Sequence, residues 1–226
     1  MKQGGSDAAK RAAGEAAAET VEDGAVVGLG TGSTAAHAIR AIGRRVDAGL
    51  DAVGVPTSFQ SRELAREEGI PLADLDEVSV DVAIDGADEV AGGDLVKGGG
   101  AAHAREKVVD ASADRFLVVA DPTKEAEALS HPVPVEVLPA ARSTVAERVE
   151  ALGGDPDLRR AERKDGPVVT DNGNLVLDCA FGEIADPERL ATALSTAPGV
   201  VEHGLFVGLA DAVYVGSEDG VTVREP

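Results

Sequence analysis

The sequence predicts an α/β protein with two parts, a Rossmann-like domain built on a mostly parallel sheet and a smaller α+β domain of the ferredoxin-like kind. Apolar runs alternate with helix-like segments in the first half of the chain, and a proline-punctuated segment at 131–139 marks a change of pattern. Alternating strands and helices imply right-handed crossovers and a parallel sheet. We therefore expect residues 1–130 and 206–226 to form the larger domain and residues 131–205 the smaller one.

The elements of the larger domain can be assigned in chain order. An alanine-rich amphipathic helix over 7–21 precedes the apolar run AVVGLG, and GTGSTAAHAIRAIGRRV then turns into a helix. A second unit follows, with DAVGVPTS as strand and turn and FQSRELAREEG as helix. VDVAIDGADEV and FLVVADPTK are strands that end in polar residues. Near the C-terminus, DAVYVGSEDGVTVRE predicts a hairpin that returns to this domain.

The smaller domain shows a different order of elements. A helix is predicted over 142–152, followed by two hairpin strands, GPVVT and NLVLDCAF, around the turn TDNGN. Asn172-Gly173 is a strong signal for a hairpin turn. A helix over 187–196 and the strand GLFVG complete the domain. With the extended segment at 131–139 as the first strand, the order is β-α-β-β-α-β, which is that of a small antiparallel α+β fold.

Composition excludes several classes of partner. The formal net charge is −20, and no basic run is longer than Arg44-Arg45 or Arg159-Arg160, so we expect no nucleic acid partner. No segment is apolar enough to span a membrane, and the N-terminal stretch lacks the apolar core of a secretory signal. The single cysteine, Cys179, cannot form an internal disulfide. We therefore expect a cytoplasmic location and no membrane partner.

The charge bias also predicts a surface adapted to salt. Only six of the 21 basic residues are lysines, and aromatic residues make up 2% of the chain. Lysines that occur despite this bias are candidates for function. Three of the six, Lys97, Lys107 and Lys124, lie in one central region.

Four polar clusters follow predicted strands: GTGST (30–34), DGADE (85–89), KGGG (97–100) and DPTK (121–124). Ligands of open parallel sheets bind at the carboxyl ends of the strands, so we expect all four clusters at that edge. The first cluster offers backbone amides and a helix N-terminus to a phosphate. A dinucleotide fingerprint would need glycine at position 33, where this chain has Ser33, so a monophosphate fits better. A purely structural turn is an equal alternative for this cluster.

The acidic and glycine-rich clusters point to proton chemistry. Asp85 and Asp88 could divide acid and base roles, bind a cation, or simply form a turn. In LVKGGGAAHAREK, Lys97 and the glycine amides could stabilise developing negative charge on a substrate oxygen. Glu106 would lie about two helical turns inward as a candidate base, or serve only as a solvated ion-pair partner. We expect His103 to have a packing or surface role.

In order along the chain, the segments GLGTGSTA, VPTSFQS, DGADEV, LVKGGGAAHAREK, ADPTK, PVEVLP, TDNGNLVLD and PGVVEHGLF resemble the ribose-5-phosphate isomerases of the A type. The resemblance implies interconversion of D-ribose 5-phosphate and D-ribulose 5-phosphate in the non-oxidative pentose phosphate pathway, without a metal or organic cofactor. It implies a homodimer or homotetramer. It also implies four catalytic residues, Glu106, Asp85, Asp88 and Lys97. The implied substrate-binding residues are Thr31, Gly32, Ser33, Thr34, Asp85, Gly86, Ala87, Asp88, Lys97, Gly98, Gly99, Gly100 and Lys124.

Other functions remain as alternatives at this point. A sugar-phosphate sensing domain of a transcriptional regulator would share the phosphate loop, but it would need a DNA-binding helix-turn-helix and a basic surface. An amino-sugar phosphate deaminase would need a catalytic histidine for ring opening. A coenzyme A transferase would need a nucleophilic glutamate in a different context.

Overall fold

The structure is a computed structural model that describes residues 5–163 and 165–226; residues 1–4 and 164, which the predicted domains include, lie outside it. The elements, in chain order, are α1 (Asp7–Ala18), β1 (Ala25–Leu29), α2 (Ser33–Asp47), β2 (Ala52–Pro56), α3 (Phe59–Glu67), β3 (Val82–Gly86), β4 (Glu89–Ala91), β5 (Asp94–Val96), α4 (His103–Ser112), β6 (Arg115–Ala120), β7 (Val133–Val137), α5 (Arg142–Ala151), β8 (Asp155–Leu158), β9 (Leu175–Ala180), α6 (Pro187–Ser195), β10 (Val200–His203), β11 (Leu205–Phe206), β12 (Ala212–Ser217) and β13 (Gly220–Arg224). Short 3-10 helices cover Pro122–Lys124 and Pro139–Ala141.

A six-stranded sheet of order β13-β12-β6-β3-β1-β2 organises the first part of the fold. All neighbouring strands run parallel except β13, which pairs antiparallel with β12 as the predicted hairpin. The strand β1 connects through α2 to β2 on one side, whereas β3 continues towards β6 on the other. The carboxyl ends of β1 and β3 therefore flank the switch point of the sheet, where open α/β sheets bind ligands.

The two faces of this sheet are covered by different helices. One face carries an alanine-rich core in which α1, α2 and α3 pack on alternate strand residues such as Val27, Leu29 and Ile84. The other face includes Val55 and Val80, against which Val109 of α4 packs. Helices on both faces explain why the strands are apolar runs rather than alternating patterns. The predicted Rossmann-like domain type is confirmed.

The described chain divides into two compact units. The first runs from the N-terminal end of the described chain to Ala87 and includes Arg105–Glu125 and Leu209–Pro226; the second contains Asp88–Ala104 and Ala126–Gly208. Residues 88–104 group with the second unit because β4, β5 and β11 form a three-stranded antiparallel sheet. The predicted domain bounds, 1–130 with 206–226 and 131–205, differ from this grouping and stay a prediction.

The second unit contains a four-stranded sheet of order β10-β7-β9-β8 in which every neighbouring pair is antiparallel. With α5 and α6 between strands, the chain order is β-α-β-β-α-β, and β9 lies between β7 and β8. This is the ferredoxin-like arrangement that the sequence predicts. Its core is formed by valines of β7, leucines and Cys179. Burial raises the pKa of the Cys179 thiol to about 12, so the thiol stays protonated.

Two strands of the small domain were predicted at the wrong residues. GPVVT at 166–170 makes only isolated bridges, Arg160 with Pro167 and Val169 with Leu175. The edge of β9 is occupied instead by β8, which pairs Leu158 with Leu177, so no room is left for GPVVT to pair as a full strand. Pro156 weakens the sequence signal of β8, although proline is tolerated in an edge strand.

The last strand of the small domain is also displaced from its predicted position. It is β10, Val200–His203, and not GLFVG. Leu205 and Phe206 of GLFVG form β11, which pairs with β5 in the three-stranded sheet. The N–H of Gly204 donates to Pro134 O, and its carbonyl accepts from Lys97 N, so the chain changes sheets at this residue.

Among the described residues, no helix is both long and apolar enough to cross a membrane.

Candidate active site

The loop after β1 prepares a helix N-terminus for an anion. Gly32 is the N-cap of α2, and no side chain in the described part of the chain accepts from the first amides of this helix. Ser33 is exposed, and Thr34 is 8% exposed. Unpaired amides and the positive end of the helix dipole together favour a phosphate at this position.

Asp85 connects this loop to the neighbouring strand β3. Its side chain is fully buried, and Oδ1 accepts from the N–H groups of Thr31 at 2.9 Å and Gly86 at 2.6 Å. A Cβ atom on Gly30 would lie 2.2 Å from Asp85 Oδ1, so only glycine permits this approach. The contact spans the switch point between β1 and β3 and fixes the conformation of the loop.

Two hydroxyls after β2 belong to the same edge, and sequence reasoning did not select them. Thr31 Oγ1 lies 2.8 Å from Thr57 Oγ1 and 2.7 Å from Ser58 Oγ. Thr57 is in turn fixed by its N–H and Oγ1, both of which donate to Leu29 O. The signal was present in VPTS, because β2 neighbours β1 and its carboxyl end must meet the same loop.

Lys124 lies at the end of β6, in a turn that Asp121 caps. Asp121 Oδ1 accepts from Thr123 N at 2.9 Å and from Thr123 Oγ1 at 2.5 Å, and Asp121 O accepts from Lys124 N. The Lys124 side chain is half-buried, and none of the ion pairs of the described chain engages it. An ammonium group in this state is free to bind an anionic ligand.

Glu106 lies in the first turn of α4 and not two turns inside it, because the helix begins only at His103. The segment before the helix is irregular, with Ala101 at a φ of 60°. Glu106 is 4% exposed, so it is not the solvated surface residue that the sequence left as an alternative. A carboxylate in the first helical turn is stabilised by the helix dipole.

Lys97 is a buried cation in the second unit. It follows β5 and is 2% exposed, and its Nζ lies 5.3 Å from the ring centre of Phe206. Its N–H donates to Gly204 O at 2.8 Å, which fixes the backbone at the start of the glycine loop. Cation-π contact with a desolvated ring stabilises the charged ammonium group.

The triple-glycine loop is a tight turn held against Asp88. Ala101 N–H donates to Gly98 O at 2.9 Å, and Gly99 N–H donates to Asp88 Oδ2 at 2.7 Å. Gly98 has a φ of 108°, and a Cβ there would lie 2.7 Å from Nδ1 of the buried His103. Glycine is therefore required at this position, and His103 packs under the loop.

The predicted site residues thus fall into two groups, one in each unit. Thr31, Gly32, Ser33, Thr34, Asp85, Gly86, Ala87, Glu106 and Lys124 belong to the first unit, and Asp88, Lys97, Gly98, Gly99 and Gly100 belong to the second. GTGST, DGADE and DPTK lie at the carboxyl ends of β1, β3 and β6, as predicted. KGGG does not, because β5 belongs to the three-stranded antiparallel sheet.

Two functional candidates in the second unit were missed entirely. Arg159 Nη1 donates to the carbonyls of Gly98 at 2.8 Å and Gly99 at 3.1 Å. Asp178 accepts from Nε and Nη2 of the same guanidinium at 2.9 and 2.5 Å. The only sequence signal was the basic pair Arg159-Arg160.

Among the described residues, no group of three His, Cys, Asp or Glu side chains has an arrangement that could hold a metal ion.

Comparison with known proteins identifies the family. Residues 53–220 match the family model described as ribose 5-phosphate isomerase A (phosphoriboisomerase A). The chain belongs to the ribose 5-phosphate isomerase A family. It is accordingly an isomerase that acts on ribose 5-phosphate. The regulator, deaminase and transferase alternatives are set aside by this membership.

Similar members of the family come from halophilic archaea. The chain is 80% identical to the ribose-5-phosphate isomerase A of Haloarcula marismortui over 99% of this chain and 98% of the relative. It is 73% identical to that of Halorubrum lacusprofundi over 97% of each chain. These relatives support the salt-adapted surface that the acidic, lysine-poor composition predicts.

Solved structures of ribose 5-phosphate isomerases share the fold. The enzyme of Methanocaldococcus jannaschii matches with a TM-score of 0.93 and 44% identity, covering 96% of this chain and 98% of that one. A D-ribose-5-phosphate isomerase in complex with phospho-erythronic acid also matches with a TM-score of 0.93 and 44% identity, covering 96% of this chain and 97% of that one.

Proposed function

We propose that the chain interconverts D-ribose 5-phosphate and D-ribulose 5-phosphate by proton transfer through an enediolate, in the non-oxidative pentose phosphate pathway. The observation that carries the proposal is that residues 97–106 combine a buried lysine, a tight glycine turn and a buried glutamate. They do so in a chain of this isomerase family. A base, a cation and oriented amides are what an aldose-ketose isomerisation requires.

The phosphate end of the substrate is assigned to the first unit. The N-terminus of α2, over Thr31–Thr34, supplies amides and hydroxyls. Lys124 supplies a cation without an ion-pair partner in the described chain. The binding set proposed here also includes Asp85–Asp88 and Lys97–Gly100. The relative solved with phospho-erythronic acid supports this class of ligand, since that acid carries both a phosphate and a carboxylate.

The chemical steps follow from the groups available. The Glu106 carboxylate removes the C2 proton of the open-chain aldose, and the electron pair moves into a C1–C2 double bond, leaving negative charge on the carbonyl oxygen. Lys97 and the glycine amides stabilise that charge. Return of the proton to C1 gives the ketose. Asp88 moves a proton between the two oxygens, and Asp85 assists ring opening.

The geometry of Asp88 supports its role. Its Oδ2 accepts from Gly99 N–H, while no hydrogen bond to Oδ1 is found among the described residues. One oxygen therefore fixes the side chain, and the other remains for proton exchange. Asp85 Oδ1 is likewise fixed, by two backbone amides.

We further propose a cytoplasmic homodimer or homotetramer. Leu138, Val169 and Val201, all in the second unit, are 49%, 49% and 42% exposed, although each is a large apolar side chain. Contact between copies of the chain would remove this surface from water. The mass in solution, measured by light scattering, decides between the two assemblies.

Direct conversion tests the proposed function. The purified chain, at low and at high salt, should convert ribose 5-phosphate to ribulose 5-phosphate, and it should act neither on glucosamine 6-phosphate nor on an acyl-CoA. Because Lys97 and oriented amides supply the positive charge, kcat after treatment with EDTA should stay within about twofold of the untreated value. Conversion only of glucosamine 6-phosphate, or activity restored by a divalent ion, would contradict the proposal.

A further inference from the structure

Arg159 is held more firmly than a surface arginine. Its N–H donates to Val176 O at 2.9 Å, and its carbonyl accepts from Val168 N at 2.9 Å, so its backbone is fixed beside β9. Its guanidinium forms a two-point ion pair with Asp178, and its side chain is 15% exposed. Such a fork-to-carboxylate pair fixes orientation as well as position.

The remaining nitrogen of this guanidinium holds the glycine loop. Nη1 donates to Gly98 O and Gly99 O, so one group restrains two consecutive peptide units. The Gly98–Gly99 peptide is held at both ends, because its N–H donates to Asp88 Oδ2. Glycine has the greatest backbone freedom of all residues, so a loop of three glycines depends on such restraints to keep one conformation.

Peptide geometry shows what the restraint does. In a trans peptide the C=O and the N–H point in opposite directions, and no cis peptide occurs in the described chain. Because the carbonyl of Gly99 faces Arg159, the N–H of Gly100 points away from Arg159, towards the side of the loop on which Asp88 binds. No acceptor for the Gly100 N–H is found among the described residues, and Gly100 is exposed.

We infer that Arg159, oriented by Asp178, is a positioning residue that aims the Gly100 N–H at the substrate oxygen that gains negative charge. The inference rests on the proposed function of residues 97–100. Arg159 itself does not touch the reacting atoms. It fixes the peptide whose amide does, so its removal weakens stabilisation of the enediolate more than binding of the substrate.

Arg159→Met tests the inference, with Arg160→Met as the matched control. Arg160 is the next residue, carries the same charge and is exposed. Arg159→Met should lower kcat about 10- to 100-fold, change KM by less than about threefold, and weaken inhibition by phospho-erythronic acid in proportion to kcat. Arg160→Met should leave all three within about twofold.

The inhibition constant separates positioning from mere loss of folded enzyme. A smaller folded fraction lowers apparent kcat but leaves the inhibition constant of the remaining enzyme unchanged, whereas a misaimed amide weakens binding of the inhibitor. Arg159→Met with the inhibition constant of Arg160→Met would overturn the inference. If Arg159→Met does not fold, Asp178→Asn retains the side-chain shape and should shift kcat and the inhibition constant about 3- to 10-fold in the same directions; no shift would overturn the inference. Absence of isomerase activity in the unaltered chain would instead refute the proposed function.

Discussion

Replacing Glu106 by glutamine should lower kcat for ribose 5-phosphate about 10²- to 10⁴-fold and leave the fold intact. Glutamine retains the shape of the side chain but cannot accept the C2 proton. Glu106 is buried in the first turn of α4, so a base from the solvent cannot readily replace its carboxylate. Steady-state kinetics and circular dichroism of the purified variant measure the two halves of this expectation.

The matched control for this substitution is Glu63→Gln. Glu63 is a glutamate of α3 that pairs with Arg66 and is 67% exposed. Its replacement should leave kcat within about twofold, because an exposed ion pair three residues apart contributes little. Near-normal turnover by Glu106→Gln would remove Glu106 from the mechanism and, with it, the proton-transfer scheme.

Replacing Lys97 by methionine should lower kcat about 10²- to 10³-fold, whereas Lys124→Met should mainly raise KM. Lys97 is buried over Phe206, and in the proposed mechanism it acts on charge that develops during the reaction. Lys124 is free of ion pairs in the described chain. In the proposed mechanism it holds the phosphate before and during the reaction, so its loss should weaken binding of the substrate and of the transition state alike. Methionine preserves most of the side-chain volume at both positions, and each variant is the control for the other.

A salt series extends this comparison to the whole charge of the molecule. A chain of net charge −20 repels an anionic sugar phosphate at long range, and in the proposed mechanism local cations and amides offset that repulsion. At 1 M salt the Debye length is about 3 Å, so the long-range repulsion of the substrate is screened. The KM of the unaltered chain should therefore not rise steeply with salt. An exchange of the two patterns, with Lys97 affecting only KM and Lys124 only kcat, would show that the two roles are reversed.

The larger unit could be predicted well because its signals are local. Each strand before a polar turn and helix, such as AVVGLG before GTGST, can be recognised within about twenty residues, and the carboxyl ends of parallel strands must share an edge. This reasoning led to Asp85, Lys124 and the phosphate loop. It should also have led to Thr57 and Ser58, which follow β2 and contact Thr31.

The smaller unit was harder to predict because strand pairing is decided by distant residues. GPVVT has the stronger strand composition, yet β8 occupies the edge of β9 and leaves GPVVT with isolated bridges. The buried Glu136 accepts from Thr170, Asn172 and Asn174, so the TDNGN turn is also held by a contact beyond its local pattern. Composition alone does not reveal such long-range competition.

The contact between Arg159 and the glycine loop was not predictable from sequence for the same reason. Arg159 and Gly98 are 61 residues apart, and a basic pair is ordinarily a solvated surface feature. Only the antiparallel register of β8 and β9, which pairs Asp157 with Asp178, brings Asp178 alongside Arg159. The position of KGGG after an antiparallel strand was likewise hidden, because three-residue strands carry little pattern.

Isotope exchange tests proton transfer through an enediolate most directly. Ribose 5-phosphate converted in D₂O should acquire deuterium at C1 of the ketose, observed by NMR, because in the proposed mechanism the proton carried by Glu106 exchanges with solvent before it returns. The Glu106→Gln variant should lose this incorporation together with turnover. The reaction is followed until the reversible interconversion has passed through many cycles. A product that still contains no deuterium would contradict the enediolate mechanism.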